Sequence, residues 1–143
     1  MPSDPDSLKV IIDNIYELIA SEQYDEAEHL LGCIPDLEKH DPELLFFKAI
    51  CEYEAGRDVE CLQLLSDFLN RAPRHVKADY SVFTAAICLA NLGMEEESLP
   101  LLNTLPVSYP DLIDEKQSIS AKVQIKAQAK VHAEAIAKMS RKR

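Results

Sequence analysis

The stretch AICEYEAG, residues 49–56, returns later in the chain as AAICLANLG, residues 85–93. In each copy an Ala-Ile-Cys run ends five residues before a glycine, and the two copies are offset by 37 positions. A leucine pair and a proline keep the same offset, Leu64-Leu65 with Leu101-Leu102 and Pro73 with Pro110. A period of about 20–50 residues is typical of one supersecondary unit stacked on copies of itself. A fainter copy around Leu30-Leu31 brings the number of predicted units to three.

Length and composition favour one soluble, helical domain. The chain has 143 residues with three glycines and no tryptophan, which favours helices over a turn-rich β fold. No window approaches 18 consecutive apolar residues, so we expect no membrane insertion. The N-terminal sequence MPSDPDSLK has neither a basic region nor a signal-peptide cleavage site. We therefore expect a cytoplasmic protein.

Charge is divided unevenly along the chain. Residues 1–113 carry 22 acidic and 7 basic side chains, a net charge of −15, whereas residues 114–143 carry 3 acidic and 8 basic ones, a net charge of +5. An acidic body repels nucleic acid and anionic lipid, so we expect no nucleic-acid partner. The basic tail is typical of a solvated helix end, and a contact of this tail with RNA or lipid headgroups is the alternative.

No pattern in the sequence indicates catalysis, a cofactor or a metal site. The cysteines form no CxxC pair and the histidines are scattered singly, so no zinc-ligand spacing occurs. Three isolated glycines cannot form a phosphate-binding loop, and the chain has no GxSxG or HExxH motif. We therefore predict a protein that is not an enzyme. Cys51 and Cys88 occupy equivalent repeat positions and are interpreted as small residues packed between helices.

Apolar spacings of three and four residues, bounded by prolines and glycines, predict three helix pairs. The predicted helices begin at Ser7, continue as Tyr24–Ile34, Asp41–Gly56, Asp58–Arg71 and Val76–Leu92, and end with Glu95–Leu105. Residues 113–143 should form a C-terminal helix with a basic tail, because they contain no glycine or proline. We expect its thin apolar stripe to cover the last exposed core, the stripe being Ala121, Ile125, Ala129, His132, Ile136 and Met139.

Helix pairs of about 34 residues, with glycine between the helices and proline after the second, resemble tetratricopeptide repeats. The second repeat matches that pattern at Leu45, Ala49, Gly56, Leu65, Phe68 and Pro73. Glu22 replaces the glycine of the first repeat, and Lys48 and Glu52 occupy positions that are normally apolar. The resemblance implies an all-α fold of three tetratricopeptide-like helix pairs, stacked as a short right-handed solenoid with a long C-terminal capping helix. Its segments are a disordered N-terminus 1–7 and repeats of about 8–38, 42–75 and 79–112.

Two short stretches of the sequence resemble more specific families. The run Phe83-x-Ala85-Ala86-x-Cys88-Leu89, followed by Gly93, is similar to the third repeat of the class II chaperones of bacterial type III secretion, which hold translocator proteins. The run Ala49-Ile50-Cys51-Glu52-Tyr53 resembles a stretch in the small repeat chaperones that hold the secretion needle subunit. These matches imply a chaperone that holds a secreted protein partner.

In such repeats the first helix of each pair lines a concave groove. The resemblance assigns nine large side chains to this groove: Ile12, Tyr16, Ile19, Phe46, Ile50, Tyr53, Tyr80, Phe83 and Ile87. An apolar groove with an acidic surround suits an apolar helical or extended segment with basic flanks. The alternative is that these side chains are core, buried by tight curling of the stack or by the C-terminal helix.

The predicted function is a protein-binding chaperone that holds an apolar segment of a secreted partner, a type III secretion subunit. A co-chaperone or a second copy of the chain are further possible partners. The alternative is a structural adaptor or self-associating repeat protein, in which the same apolar surface mediates assembly.

Overall fold

A computed structural model describes residues 5–142 of the chain. Over this range the chain is all-α, with no strand, which confirms the predicted fold class. The elements are the α-helices α1 (Pro5–Ala20), α2 (Tyr24–Gly32), α3 (Glu43–Glu54), α4 (Asp58–Arg71), α5 (Ala78–Asn91), α6 (Glu95–Leu102) and α7 (Leu112–Arg141), with a 3₁₀ turn at Leu37–Lys39.

Consecutive helices pack on one another along the whole described chain. The contacts α1 to α2, α3 to α4 and α5 to α6 form three pairs, and α2 to α3 and α4 to α5 join one pair to the next. The predicted boundaries differ at the ends. Because α1 begins at Pro5, residues 5–7 are helical rather than disordered, and residues 1–4 lie outside the described range. The repeat limits of 8–38, 42–75 and 79–112 stay predictions.

The turn inside each helix pair has one backbone geometry. Gly56 and Gly93 both have φ of 80°, and the amide three residues past each helix end donates back across the turn, Arg57 to the carbonyl of Glu52 and Met94 to that of Leu89. A left-handed residue at this point is the usual way to satisfy the last helical carbonyls. The fixed distance from Ala-Ile-Cys to glycine follows from this geometry.

Glu22 adopts the same conformation without being a glycine. Its φ is 60°, and the amide of Gln23 donates to the carbonyl of Leu18 at 2.8 Å, the same bond as in the other two turns. A non-glycine residue in this region costs roughly 1–2 kcal/mol. The first repeat therefore keeps the turn and bears the strain.

Helix α3 is the centre of the core. Eight of its residues are buried: Leu44, Leu45, Phe46, Phe47, Ala49, Ile50, Cys51 and Glu52. Ile15 of α1 and Phe68 of α4 lie in the same apolar cluster. The buried carboxylate of Glu52 is paired with Arg57, which also binds Glu28 of α2 at 2.6 Å. This pairing explains a charge at a position that is normally apolar.

Helix α7 packs by a different face from the one predicted. Leu112 and Ile119 are buried against a second apolar cluster that contains Leu102 and Leu105. Ile125 lies about 120° around the helix from Ile119, and it is 64% exposed. The expectation that the stripe Ala121, Ile125, Ala129, His132, Ile136 and Met139 covers the core is wrong, because all six residues are exposed.

Candidate partner-binding cleft

The nine predicted groove residues lie on the first helix of each pair, three each on α1, α3 and α5. Four of them line one cleft of about 290 Å³: Ile19, Phe46, Ile50 and Tyr80. The remaining lining residues are Tyr24, Phe47, Val76 and Lys77. The cleft therefore draws on all three first helices, together with α2 and the loop between α4 and α5.

The floor of this cleft is apolar and its rim is aromatic. Phe46 and Ile50 are each 5% exposed and form the floor, so they belong to the core as well as to the cleft. Tyr80 is 47% exposed and stands at the rim, with its ring centroid 5.7 Å from that of Phe46. Val76 is 90% exposed in the adjoining loop. A large apolar side chain entering the cleft would contact these four residues.

The other five predicted residues do not line the cleft. Ile12, Tyr53 and Ile87 are half-buried, and the first two pack against the large apolar cluster around α3. Phe83 packs against Tyr109, at 5.1 Å between ring centroids, so the segment before α7 occupies that end of the predicted groove. Tyr16 packs edge-on against Phe47 at 4.8 Å. The predicted groove is thus open in its middle and filled near α7.

A carboxylate holds the loop before α5 against α1 and α3. The Tyr16 hydroxyl donates to Glu43 Oε2 at 2.9 Å, and Lys77 Nζ lies 2.9 Å from Glu43 Oε1. The same ammonium stands 4.7 Å from the Phe47 ring centroid and 5.2 Å from that of Phe46. Cation–π contacts of this kind add to the ion pair. Lys77 is therefore engaged at the wall of the cleft.

This network shifts two pKa values. Burial alone would raise the pKa of Glu43, but the hydrogen bonds from Lys77 and Tyr16 outweigh it and hold that pKa below its ordinary value of 4.5. Burial, and then the hydrogen bond to Glu43, raises the pKa of Tyr16 to about 12. The ionised carboxylate and the neutral phenol are thus the native forms.

Acid should weaken the fold through Glu43. Because the folded pKa lies below the unfolded one, its stabilising effect is present above about pH 4.5 and is lost as the pH falls through the folded pKa. We expect Glu43→Gln to be less stable than the natural chain at neutral pH and to approach it in acid. Urea unfolding between about pH 7 and pH 3 measures the difference. Glu96→Gln, on the exposed face of α6, is the control and should follow the natural chain, and parallel curves for Glu43→Gln would contradict the assignment.

Beside the cleft lies an acidic pocket of about 290 Å³ that shares Tyr24 with it. Its carboxylates belong to Glu22, Asp25, Glu26 and Glu54. Glu54 lines this pocket together with Tyr24. Burial, and then the charge of Glu54, raises the pKa of both Tyr24 and Tyr80. Apolar floor and negative potential are thus adjacent.

Two further findings concern the described range. Between Pro5 and Lys142 no three His, Cys, Asp or Glu side chains are grouped so as to hold a metal ion. Within the same residues, no helix combines the length and apolarity needed to cross a bilayer.

No protein-family model matches the sequence, and no curated protein matches it either. Several solved structures are similar to this chain. The Yersinia enterocolitica type III secretion chaperone SycD, crystallised with a peptide of the translocator YopD, is 18% identical with a TM-score of 0.60, over 89% of this chain and 97% of that one. PcrH from Pseudomonas aeruginosa is 17% identical with a TM-score of 0.55, over 85% and 92%.

A complex of PcrH with the chaperone binding region of PopB is also similar, at 17% identity and a TM-score of 0.53, over 81% of this chain and 96% of that one. The chain therefore has the helical fold of the type III secretion translocator chaperones, as the resemblance around Phe83 implied. The likeness covers 97% and 96% of the two crystallised chains that are in complex with translocator segments.

Proposed function

We propose that this chain is a cytoplasmic chaperone that holds an apolar helical or extended segment of a secreted type III subunit in the cleft between α1, α3 and α5. The observation that carries the proposal is the open apolar floor of Phe46 and Ile50 beneath the exposed ring of Tyr80. Two of the similar structures hold translocator segments, from YopD and PopB. Binding is stoichiometric capture rather than turnover.

The chemistry of the cleft describes the segment that fits. Aromatic walls around a small apolar floor accept one or two large side chains as anchors, the kind of contact that dominates binding energy. The adjoining carboxylates favour a basic residue beside those anchors, and an acidic body speeds the approach of a basic segment. Such a segment would aggregate if left exposed, and the cleft covers it.

The test is co-expression with each translocator and needle subunit of the type III system that accompanies this chain. We expect one subunit to co-purify at fixed stoichiometry. Val76→Asp with Tyr80→Asp should weaken its binding at least about 30-fold, because charge at the rim opposes an apolar anchor. Both side chains are exposed, so the fold should tolerate the change.

Val59→Asp is the matched control. Val59 is 60% exposed on α4 and does not line the cleft, so its replacement places a single carboxylate away from the cleft and should leave binding unchanged. Retention of the subunit by a folded Val76→Asp, Tyr80→Asp variant would exclude the cleft as the binding site.

A further inference from the structure

The distal part of α7, residues 124–142, extends from the body and contains no buried residue. Every residue from Gln124 to Lys142 is exposed, and Lys126, which binds Glu95 at 2.7 Å, ties the helix to the turn before α6. The helix is 30 residues long, which corresponds to about 45 Å. In proteins most helical stability comes from packing of one apolar face against a neighbour, and residues 124–142 bury no such face.

The exposed apolar stripe of α7 is not covered by any of residues 5–142, the range that the structure describes. Ile125, Ile136 and Met139 are 64%, 64% and 69% exposed and share one face of the helix. That face is turned away from the side that Leu112 and Ile119 bury. The helix contains no glycine or proline at which it could bend back.

The end of α7 complements the cleft in charge and in the order of its apolar and charged residues. Ile136 and Met139 are one turn apart, and Arg141 and Lys142 follow within the next turn. The cleft offers the complementary order, an apolar floor and then, past Tyr24, the acidic pocket. The net charges of +5 for residues 114–143 and −15 for residues 1–113 favour the same pairing.

We propose that the C-terminal turns of α7 dock in the cleft of a second copy of the chain. Ile136 and Met139 lie on the floor formed by Phe46 and Ile50, and the basic residues after them face the carboxylates of the acidic pocket. This is a helix-in-groove contact with anchors at three-residue spacing. The copies thereby close each other's clefts, and a secreted segment would compete with the tail.

Charge decides against the other pairing of two copies. If two α7 helices packed stripe to stripe, two basic segments would lie side by side and repel each other. Docking on the acidic body brings opposite charges together instead. The dependence of association on salt therefore distinguishes the two arrangements. Screening should weaken docking of α7 on the acidic body and should strengthen pairing of two α7 helices.

Sedimentation equilibrium of the purified full chain tests the proposal without any other partner. We expect concentration-dependent association that weakens at least about tenfold in Ile136→Asp with Met139→Asp. Tyr80→Asp, at the cleft rim, should weaken it as well. Val131→Asp is the control on the same helix, since Val131 is 62% exposed and lies about 120° from the stripe, and it should associate like the natural chain.

Charge reversal gives a second measurement. Arg141→Glu with Lys142→Glu should weaken association, and adding Glu22→Lys and Glu54→Lys to the same chain should restore it. A chain that is monomeric at every concentration overturns the proposal. So does association that Tyr80→Asp leaves intact or that rises with salt, which would indicate α7 pairing. Because secreted subunits take no part, the result is independent of whether the proposed chaperone function holds.

Discussion

Phe47→Ala should lower the free energy of unfolding by about 3–5 kcal/mol, because it removes a buried ring from the centre of the core. Phe47 is 1% exposed, its ring meets Tyr16 of α1 at 4.8 Å, and Lys77 lies over its face at 4.7 Å. The substitution therefore removes contacts to α1 and to the loop before α5 together. Urea unfolding followed by circular dichroism measures the loss.

Phe47→Leu is the control for size. Leucine keeps most of the apolar volume, so its cost should stay below about 1.5 kcal/mol. A loss of less than about 1 kcal/mol for Phe47→Ala, with an unchanged denaturant slope, would mean that the ring is not a core residue.

Ile119→Asp should destabilise the chain by about 3–5 kcal/mol, because it places an unpaired carboxylate where the side chain is 1% exposed. Ile119 lies with Leu112 and Leu102 in the cluster that joins α7 to α6. A charge there should detach α7 and uncover that cluster. Thermal unfolding measures the loss of stability.

The matched control is Ile125→Asp, the same substitution six residues along the same helix. Ile125 is 64% exposed, so the change should cost no more than about 0.5 kcal/mol. If the two variants were equally unstable, or if Ile125→Asp were the less stable of the two, α7 would pack by the predicted stripe rather than by the face of Ile119.

The repeat was readable from the sequence because its turns require one backbone conformation at one spacing. At Gly56 and Gly93 the residue type itself indicates that conformation, since glycine reaches positive φ without cost. Glu22 adopts the same conformation, but there only the 34-residue pattern, and not the residue type, indicates the turn. Position in the repeat therefore carried more information than residue identity.

The face by which α7 packs could not be read in the same way. Its most regular apolar stripe, from Ile125 to Met139, lies on a part of the helix that extends past the body. The packing face has only Leu112, Ile119 and half-buried Val123, all near the start of the helix. Periodicity identifies an apolar face but not how far along the helix a neighbour reaches.

The cleft was predictable in its helices and only partly in its residues. Repeat positions gave Ile19, Phe46, Ile50 and Tyr80, because these depend on the register of α1, α3 and α5. Val76 and Lys77 were missed since they lie in the loop where three residues are inserted between repeats, outside any repeat position. The only available signal was that insertion itself. Tyr109, which fills the far end by packing on Phe83, lies between elements as well.

The unbroken α7 also sets a length scale. Its 15 residues from Ala127 to Arg141, at a rise of about 1.5 Å each, hold the basic terminus roughly 22 Å beyond Lys126. A helix of that kind acts as a spacer, because a partner bound at its tip is held at a fixed distance from the repeats. Deleting whole helical turns from α7 would shorten the distance from its tip to the repeats in steps of about 5 Å while preserving the direction in which the tip points.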